Sequence, residues 1–163
     1  MIFKFLDSST SSSFTYVLKA AALSFICATS VSMMIKILSV SFPAENIPLA
    51  QSITELGPEL AFLSIVAIAP LIETLLVGVL VSILIQQKIT TGNAILITAT
   101  IAAALHSLIS LPWGLMVFLS FVIYTKSFVT WRQQSWKKGY LVSALVHGLH
   151  NLPSAVVIYF NLV

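Results

Sequence analysis

Five long apolar segments constrain the fold of this chain more than any other feature of its sequence. Short polar or Pro/Gly-containing stretches separate them. A helix needs about 20 residues to cross a bilayer, and in lipid a helix satisfies its own backbone groups. The pattern predicts an all-α integral membrane bundle with about five transmembrane helices. The segments are residues 16–40, 58–85, 94–111, 115–129 and 140–162.

The scarcity of charge supports the same class. The chain is 58% hydrophobic and 8% charged, whereas a soluble domain has about 25% charged residues. The net charge of +3 comes from few basic residues, so nucleic acid is not expected as a partner, and the lipid bilayer is. The single cysteine, Cys27, excludes an internal disulfide.

The positions of the charged residues predict domains and topology. Residues 1–57 are expected to form a tail without a cleaved signal peptide, a first transmembrane helix and a connector at 41–57 with room for an interfacial helix. Residues 58–163 are expected to form the core.

With five spans, all loop lysines and arginines face one side, which predicts a cytoplasmic N-terminus and an outer C-terminus in the plasma membrane. These basic residues are Lys4, Lys88, Arg132, Lys137 and Lys138, opposite Glu45, Glu55 and Glu59.

The tryptophans of the loops fit the same topology. Trp113, Trp131 and Trp136 stand at or beside the predicted connections between segments. Tryptophan is enriched where a membrane meets water, so all three are predicted to be interface anchors.

Glu73 is the residue of the core that most needs an explanation. It lies near the middle of the second apolar segment, where an acidic residue costs roughly 3 kcal/mol on insertion scales. Polar partners are therefore expected on other helices. His106 lies on the third segment, and His147 and Asn151 lie on the fifth. His147 and Asn151 are four residues apart and share a helix face.

These residue types can perform hydrolysis if they converge on one interior site. Glu73 can act as a general base, and imidazole can orient water or shuttle a proton. A His and an Asn on one face can donate hydrogen bonds to an oxyanion. Glu73, His106 and His147 are also a possible zinc-ligand set. Taken alone, His106 is equally explained as a hydrogen-bonding contact between helices.

A count of residues raises a geometric problem for this convergence. At 1.5 Å per residue, His106 lies about 18 Å from the cytoplasmic end of its predicted segment, and His147 lies about 10 Å from its own. Tilt, or a kink at Pro153, is expected to bring the two to one depth.

The ordered set of motifs resembles the CPBP family, which includes the CAAX prenyl endopeptidases and the bacteriocin-processing or immunity (Abi) proteins. Ala69-Pro70-Leu71-Ile72-Glu73 corresponds to the lead-in and first Glu of the motif Glu-Glu-x-x-x-Arg. Residues 102–106 correspond to Phe-x-x-x-His, and residues 147–151 match His-x-x-x-Asn. The resemblance implies an intramembrane metallopeptidase core with Glu73, His106, His147 and Asn151 as its catalytic residues, acting on a peptide or protein substrate at the membrane.

Three positions depart from the family pattern. Thr74 stands in place of the second Glu, Gly78 in place of the Arg, and Ala102 in place of the Phe. Thr74 and His150 are predicted to support the site. The favoured function is endopeptidase activity in which Glu73 and His106 activate a water, and a divalent metal such as zinc stays open as a cofactor. Two rival functions fit the same residues: an inactive relative that acts as a membrane binding or immunity protein, and a small proton-coupled transporter.

Overall fold

The computed structural model describes residues 4–9, 12–38 and 57–160, and all regular structure within them is helical. A short 3-10 turn at Lys4–Asp7 precedes five helices. They are α1 (Ser13–Leu38), α2 (Pro58–Gln86), α3 (Thr91–Ser107), α4 (Leu111–Trp131) and α5 (Trp136–Tyr159). The predicted connector lies outside the described residues except for Gly57.

The predicted class is confirmed, because the described helices form a bundle of membrane-spanning dimensions. Within the described ranges, α1, α2, α4 and α5 are long and apolar enough to cross a membrane. Helix α3 has 17 residues. Its length of about 26 Å is slightly less than the hydrocarbon thickness of about 30 Å.

Four helices, α1, α3, α4 and α5, begin earlier than the sequence pattern predicted, and local chemistry explains the starts of α4 and α5. The stretch Pro112-Trp113-Gly114 was expected to be a connection, but it lies in the first turns of α4, where proline is favoured because its missing N–H is not needed. Helix α5 begins at Trp136, because the Ser135 side chain accepts a hydrogen bond from the Lys138 amide at 3.0 Å and caps the helix.

Helix α4 is the centre of the bundle and packs against α1, α3 and α5. Most of its side chains from Ser120 to Trp131 are buried. Trp131 is 2% exposed and packs edge-on against Tyr16 of α1, with ring centroids 5.4 Å apart. The prediction that Trp131 is an interface anchor is therefore wrong: its ring fills the space between α1 and α4.

The lysines and the arginine of the predicted loops lie at one end of the bundle, whereas Lys36 is in the last turn of α1. The N-terminal turn lies beside the α4–α5 connection, since Thr130 Oγ1 donates to the Leu6 carbonyl at 2.6 Å and Gln134 Nε2 donates to the Ser9 carbonyl at 2.9 Å. Arg132 Nη1 donates to Ser82 Oγ, in the last turns of α2, at 3.1 Å. We call this the basic end; which side of a membrane it faces stays a prediction.

Helix α2 contains a π-helical turn that precedes Glu73. The turn covers Ser64–Ile68, and the Ala69 amide donates to the Ser64 carbonyl five residues earlier. Pro70 follows directly and has no N–H to donate. The turn and the proline together leave backbone carbonyls of α2 without a partner in their own helix.

Candidate functional site

Glu73 lies between two histidines that come from two other helices. Its Oε2 atom is 3.9 Å from Nε2 of His106 on α3 and 3.8 Å from Nε2 of His147 on α5. The carboxyl side chain is 31% exposed, whereas that of His147 is 6% exposed. The structure thus brings three of the predicted catalytic residues together, with room beside the carboxylate.

The observed helix starts reduce the depth problem only slightly. From the first residues of α3 and α5, His106 lies about 22 Å and His147 about 16 Å along its helix. Glu73 lies about 20 Å from the end of α2 on the same count. The remaining difference of about 6 Å is small enough for helix tilt and side-chain length to bridge.

The hydrogen bonding of His106 fixes the tautomer of its neutral ring, and so determines that the nitrogen facing Glu73 is an acceptor. His106 Nδ1 lies 2.8 Å from the Ala102 carbonyl oxygen. A carbonyl can only accept, so Nδ1 carries the hydrogen, and in the neutral ring Nε2 carries a lone pair. That lone pair faces a carboxylate oxygen, which is also an acceptor. A proton or a water molecule between Nε2 and Oε2 is needed to make this contact favourable.

Aromatic rings hold both histidines. The His147 ring stacks on Tyr124 of α4, with centroids 4.2 Å apart and planes at 19°. Trp113 meets His106 edge-on at 4.8 Å. His147 Nδ1 is buried and has no hydrogen-bond partner among the described residues. The sequence analysis missed Tyr124 as a site residue, because a single tyrosine on an apolar segment carries no motif.

His150 is directed toward α1 and forms no contact with Glu73 in the described structure. Its Nδ1 atom is 3.0 Å from Ser24 Oγ. Ser24 in turn donates to the Tyr124 hydroxyl at 3.3 Å. His150 is thereby linked, through Ser24 and Tyr124, to the ring that stacks on His147. This chain of contacts makes α1, which the sequence placed outside the core, a supporting element of the site.

Asn151 is turned toward the π turn of α2. Its Nδ2 atom donates to the Ile65 carbonyl at 3.0 Å. The side chain also lines the same cavity as Glu73. One amide hydrogen of Asn151 is therefore engaged by the backbone of α2, and the carboxamide has one further N–H.

Thr74 and Gly78, two of the positions that depart from the family pattern, lie in closely packed surroundings. Thr74 is 1% exposed, and its Oγ1 has no hydrogen-bond partner within the described residues. A Cβ built on Gly78 would lie 2.7 Å from the ring of Phe128. An arginine at position 78 would displace that ring, so the helix contact between α2 and α4 depends on glycine here.

A cavity of about 510 Å³ adjoins the three residues. Side chains of α1, α2, α4 and α5 form its walls, together with His106 of α3. Ligand sites in proteins have volumes of about 300–1,000 Å³. The cavity is large enough for a short stretch of extended peptide and for water. Its polar lining includes Glu73, His106, His147, His150 and Asn151.

The predicted zinc ligands do not form a metal site in the described structure. Among the described residues, no group of three His, Cys, Asp or Glu side chains has an arrangement that could hold a metal ion. Glu73, His106 and His147 converge, but through separations of 3.8 and 3.9 Å. The zinc-ligand set stays a prediction.

Comparison with known proteins adds no relative. No family model matches the chain, and neither a curated protein nor a solved structure matches it. The resemblance to the CPBP family, the endopeptidase activity and the two rival functions stay predictions. What the structure establishes is a helical membrane bundle in which one carboxylate and two imidazoles from three helices meet beside a cavity.

Proposed function

We propose that this protein is an intramembrane endopeptidase in which Glu73 activates a water molecule. One observation carries the proposal. Glu73 Oε2 lies 3.9 Å from His106 Nε2 and 3.8 Å from His147 Nε2, and all three side chains line the cavity of about 510 Å³. Intramembrane acids that face a cavity are typically functional, because an acid with no role there only costs free energy.

The distance between Glu73 and His106 suits a shared water. A water that makes hydrogen bonds of about 2.8 Å to both atoms sits beside the line that joins them, with an angle of about 90° at its oxygen. It can donate one hydrogen to Glu73 Oε2 and the other to the lone pair on His106 Nε2. Its own lone pairs then remain free to attack a carbonyl carbon.

The proposed reaction is general-base hydrolysis of a peptide bond. The water oxygen forms a bond to the carbonyl carbon while Glu73 takes one of the water's protons. The proposal gives His147 Nε2–H the role of hydrogen-bond donor to the oxyanion that develops. This atom lies 3.8 Å from Glu73 Oε2, the carboxylate oxygen that binds the water. The C–N bond then breaks, and the proton on Glu73 passes to the leaving amine. Glu73 is regenerated as a carboxylate.

The test compares the wild-type protein with Glu73→Gln, which keeps the shape of the side chain and removes the base. Each protein is purified, reconstituted into liposomes, and incubated with solubilised membrane proteins of the expression host. New N-termini are labelled and identified by mass spectrometry. We expect new N-termini with the wild type, and a rate lower by about 10²–10⁴-fold with Glu73→Gln.

Glu59→Gln is the matched control, because Glu59 is an exposed acid at the start of the same helix. We expect it to cleave like the wild type. Identical N-terminal profiles for the wild type and Glu73→Gln would contradict the peptidase proposal. They would favour a membrane binding protein without turnover, a function that the packing of Thr74 and Gly78 in place of a Glu–Arg pair supports.

The same proposal includes a location and an orientation. We place the protein in the plasma membrane, and the charge pattern supports an orientation with the basic end in the cytoplasm. Cysteines introduced singly at exposed positions of the α2–α3 connection, in a Cys27→Ser background, are expected to resist a membrane-impermeant thiol reagent in intact cells. Rapid labelling of those cysteines would reverse the orientation.

A further inference from the structure

We propose that Asn151 is a positioning residue, whose carboxamide holds the π turn of α2 against α5 and thereby directs Glu73 toward His147. The inference begins with a backbone group that lacks a partner. In the π turn, the Ala69 amide donates to Ser64 rather than to Ile65. The next amide, which would serve the Ile65 carbonyl in this register, belongs to Pro70 and has no hydrogen.

Asn151 supplies the missing donor. Its Nδ2 atom lies 3.0 Å from the Ile65 carbonyl oxygen. Within a membrane bundle few donors can reach a free backbone carbonyl, so a donor from a neighbouring helix is favoured. The bond joins the α2 backbone to a side chain one helical turn beyond His147.

Gly148 makes a second contact with the same π turn. A Cβ built on Gly148 would lie 2.5 Å from the Val66 carbonyl oxygen. Val66 is four residues before Pro70, so its carbonyl also lacks the usual helical donor. Two consecutive carbonyls of α2 thus meet α5, one through a hydrogen bond and one through a close approach that only glycine permits.

The π turn explains why this contact and the catalytic contact involve the same two helices. Ile65 precedes Glu73 by eight residues, which in a regular helix would separate their directions by about 80°. The π turn acts like one inserted residue, so the interval behaves like seven residues, or about two turns. Asn151 and Glu73 therefore mark two contacts between α2 and α5, and the first restricts rotation of α2 at the second.

The test is a double-mutant cycle between positions 70 and 151. Asn151→Leu keeps a similar volume and removes the donor. Pro70→Ala returns an N–H to position 70, which can serve the Ile65 carbonyl without Asn151. Thermal unfolding midpoints are measured for the wild type, both single variants and the double variant, all purified in the same detergent. Asn93→Leu, at an exposed position in the first turn of α3, is the matched control.

We expect Asn151→Leu to lower the midpoint by several degrees in the wild-type background and by less than half as much in the Pro70→Ala background. The control should change it little. An equal loss in both backgrounds would overturn the proposal, and so would a wild-type midpoint for Asn151→Leu. A wild-type midpoint is the result expected if the carboxamide served only a substrate oxyanion.

Turnover provides a second measurement that rests on the proposed peptidase function. With the new N-termini as the signal, we expect Asn151→Leu to lower the cleavage rate by about 10–100-fold through misplacement of Glu73. Pro70→Ala should recover part of that loss. If the wild type shows no cleavage at all, the peptidase proposal fails, but the thermal cycle still decides whether Asn151 holds the π turn.

Discussion

The basic end of the bundle is closely packed, whereas the region around Glu73 has room inside it. We define the packed end by Tyr16, Gly78, Phe128, Trp131 and Gly139, and the cavity region by Glu73, His106, Tyr124, His147 and Asn151. At the packed end, glycines bring helices into contact, and a Cβ on Gly139 would lie 2.7 Å from the Phe128 carbonyl oxygen. In the cavity region the helices border an open cavity of about 510 Å³.

The comparison indicates a division between stability and function. Membrane helices associate through close packing, since lipid is as apolar as the side chains that it would replace. A cavity forgoes that packing, so the remaining contacts must hold the helices. The packed end supplies them, and the cavity region can then keep polar groups beside open space.

The largest effect is expected from Trp131→Ala at the packed end. Removal of a fully buried tryptophan should lower the free energy of unfolding by about 3–5 kcal/mol. Trp136→Ala is the control, since Trp136 is 42% exposed, and it should cost less than half as much. The measurement is reversible unfolding in mixed micelles. Equal losses of unfolding free energy for the two variants would contradict the conclusion that Trp131 is a buried packing residue rather than an interface anchor.

Gly139→Ala is expected to have the next largest effect. The new methyl group would meet backbone atoms, including the Arg132 amide nitrogen at 2.9 Å, and backbone cannot move aside as a flexible side chain can. We expect a loss of about 1–3 kcal/mol in the same unfolding assay. Gly92→Ala, where the structure has no atom within 4 Å of the new Cβ, should be neutral or slightly stabilising. A neutral Gly139→Ala would mean that the packed end is looser than described.

The smallest effect is expected in the cavity region, at Tyr124. Tyr124→Phe removes the hydrogen bond from Ser24 but keeps the ring that stacks on His147. It should cost about 0.5–1.5 kcal/mol of stability and leave the cleavage rate close to that of the wild type.

Tyr124→Leu separates the two contacts of this side chain, because it removes the ring as well. We expect a clearly lower cleavage rate than for Tyr124→Phe, measured by the same N-terminal labelling. Tyr159→Phe, near the end of α5, controls for loss of a phenol hydroxyl. If Tyr124→Phe and Tyr124→Leu cleave at the same rate, the stacked ring does not position His147.

Much of the fold was predictable from the sequence because lipid leaves the backbone few choices. Apolar length and the scarcity of charge predicted helices, and the structure confirms a helical membrane bundle. Helix boundaries were less predictable. Pro112 and Gly114 are typical of a connection, yet they lie in the first turns of α4. Trp131 was assigned to the interface because it stands at a predicted connection between segments, but its burial depends on Tyr16, which belongs to a distant helix.

The residues of the candidate site were partly predictable, since a mid-span acid requires polar partners. Glu73, His106 and His147 were named from that requirement, and the structure brings them together. Tyr124 and Ser24 were not predicted as site residues, because neither residue type is unusual in an apolar helix. Their importance comes from a stacked ring and a hydrogen bond between helices, which no spacing along the chain encodes.

The sequence by itself determined the class of fold and the presence of an intramembrane acid with imidazoles to face it, because the energetic cost of polar groups in lipid acts at every residue. Only the tertiary structure decided what Asn151 and His150 contact. Asn151 meets the Ile65 carbonyl, which the π turn and Pro70 leave free, and His150 meets Ser24 of α1. Those partners depend on the rotation and spacing of whole helices, which packing between distant segments sets.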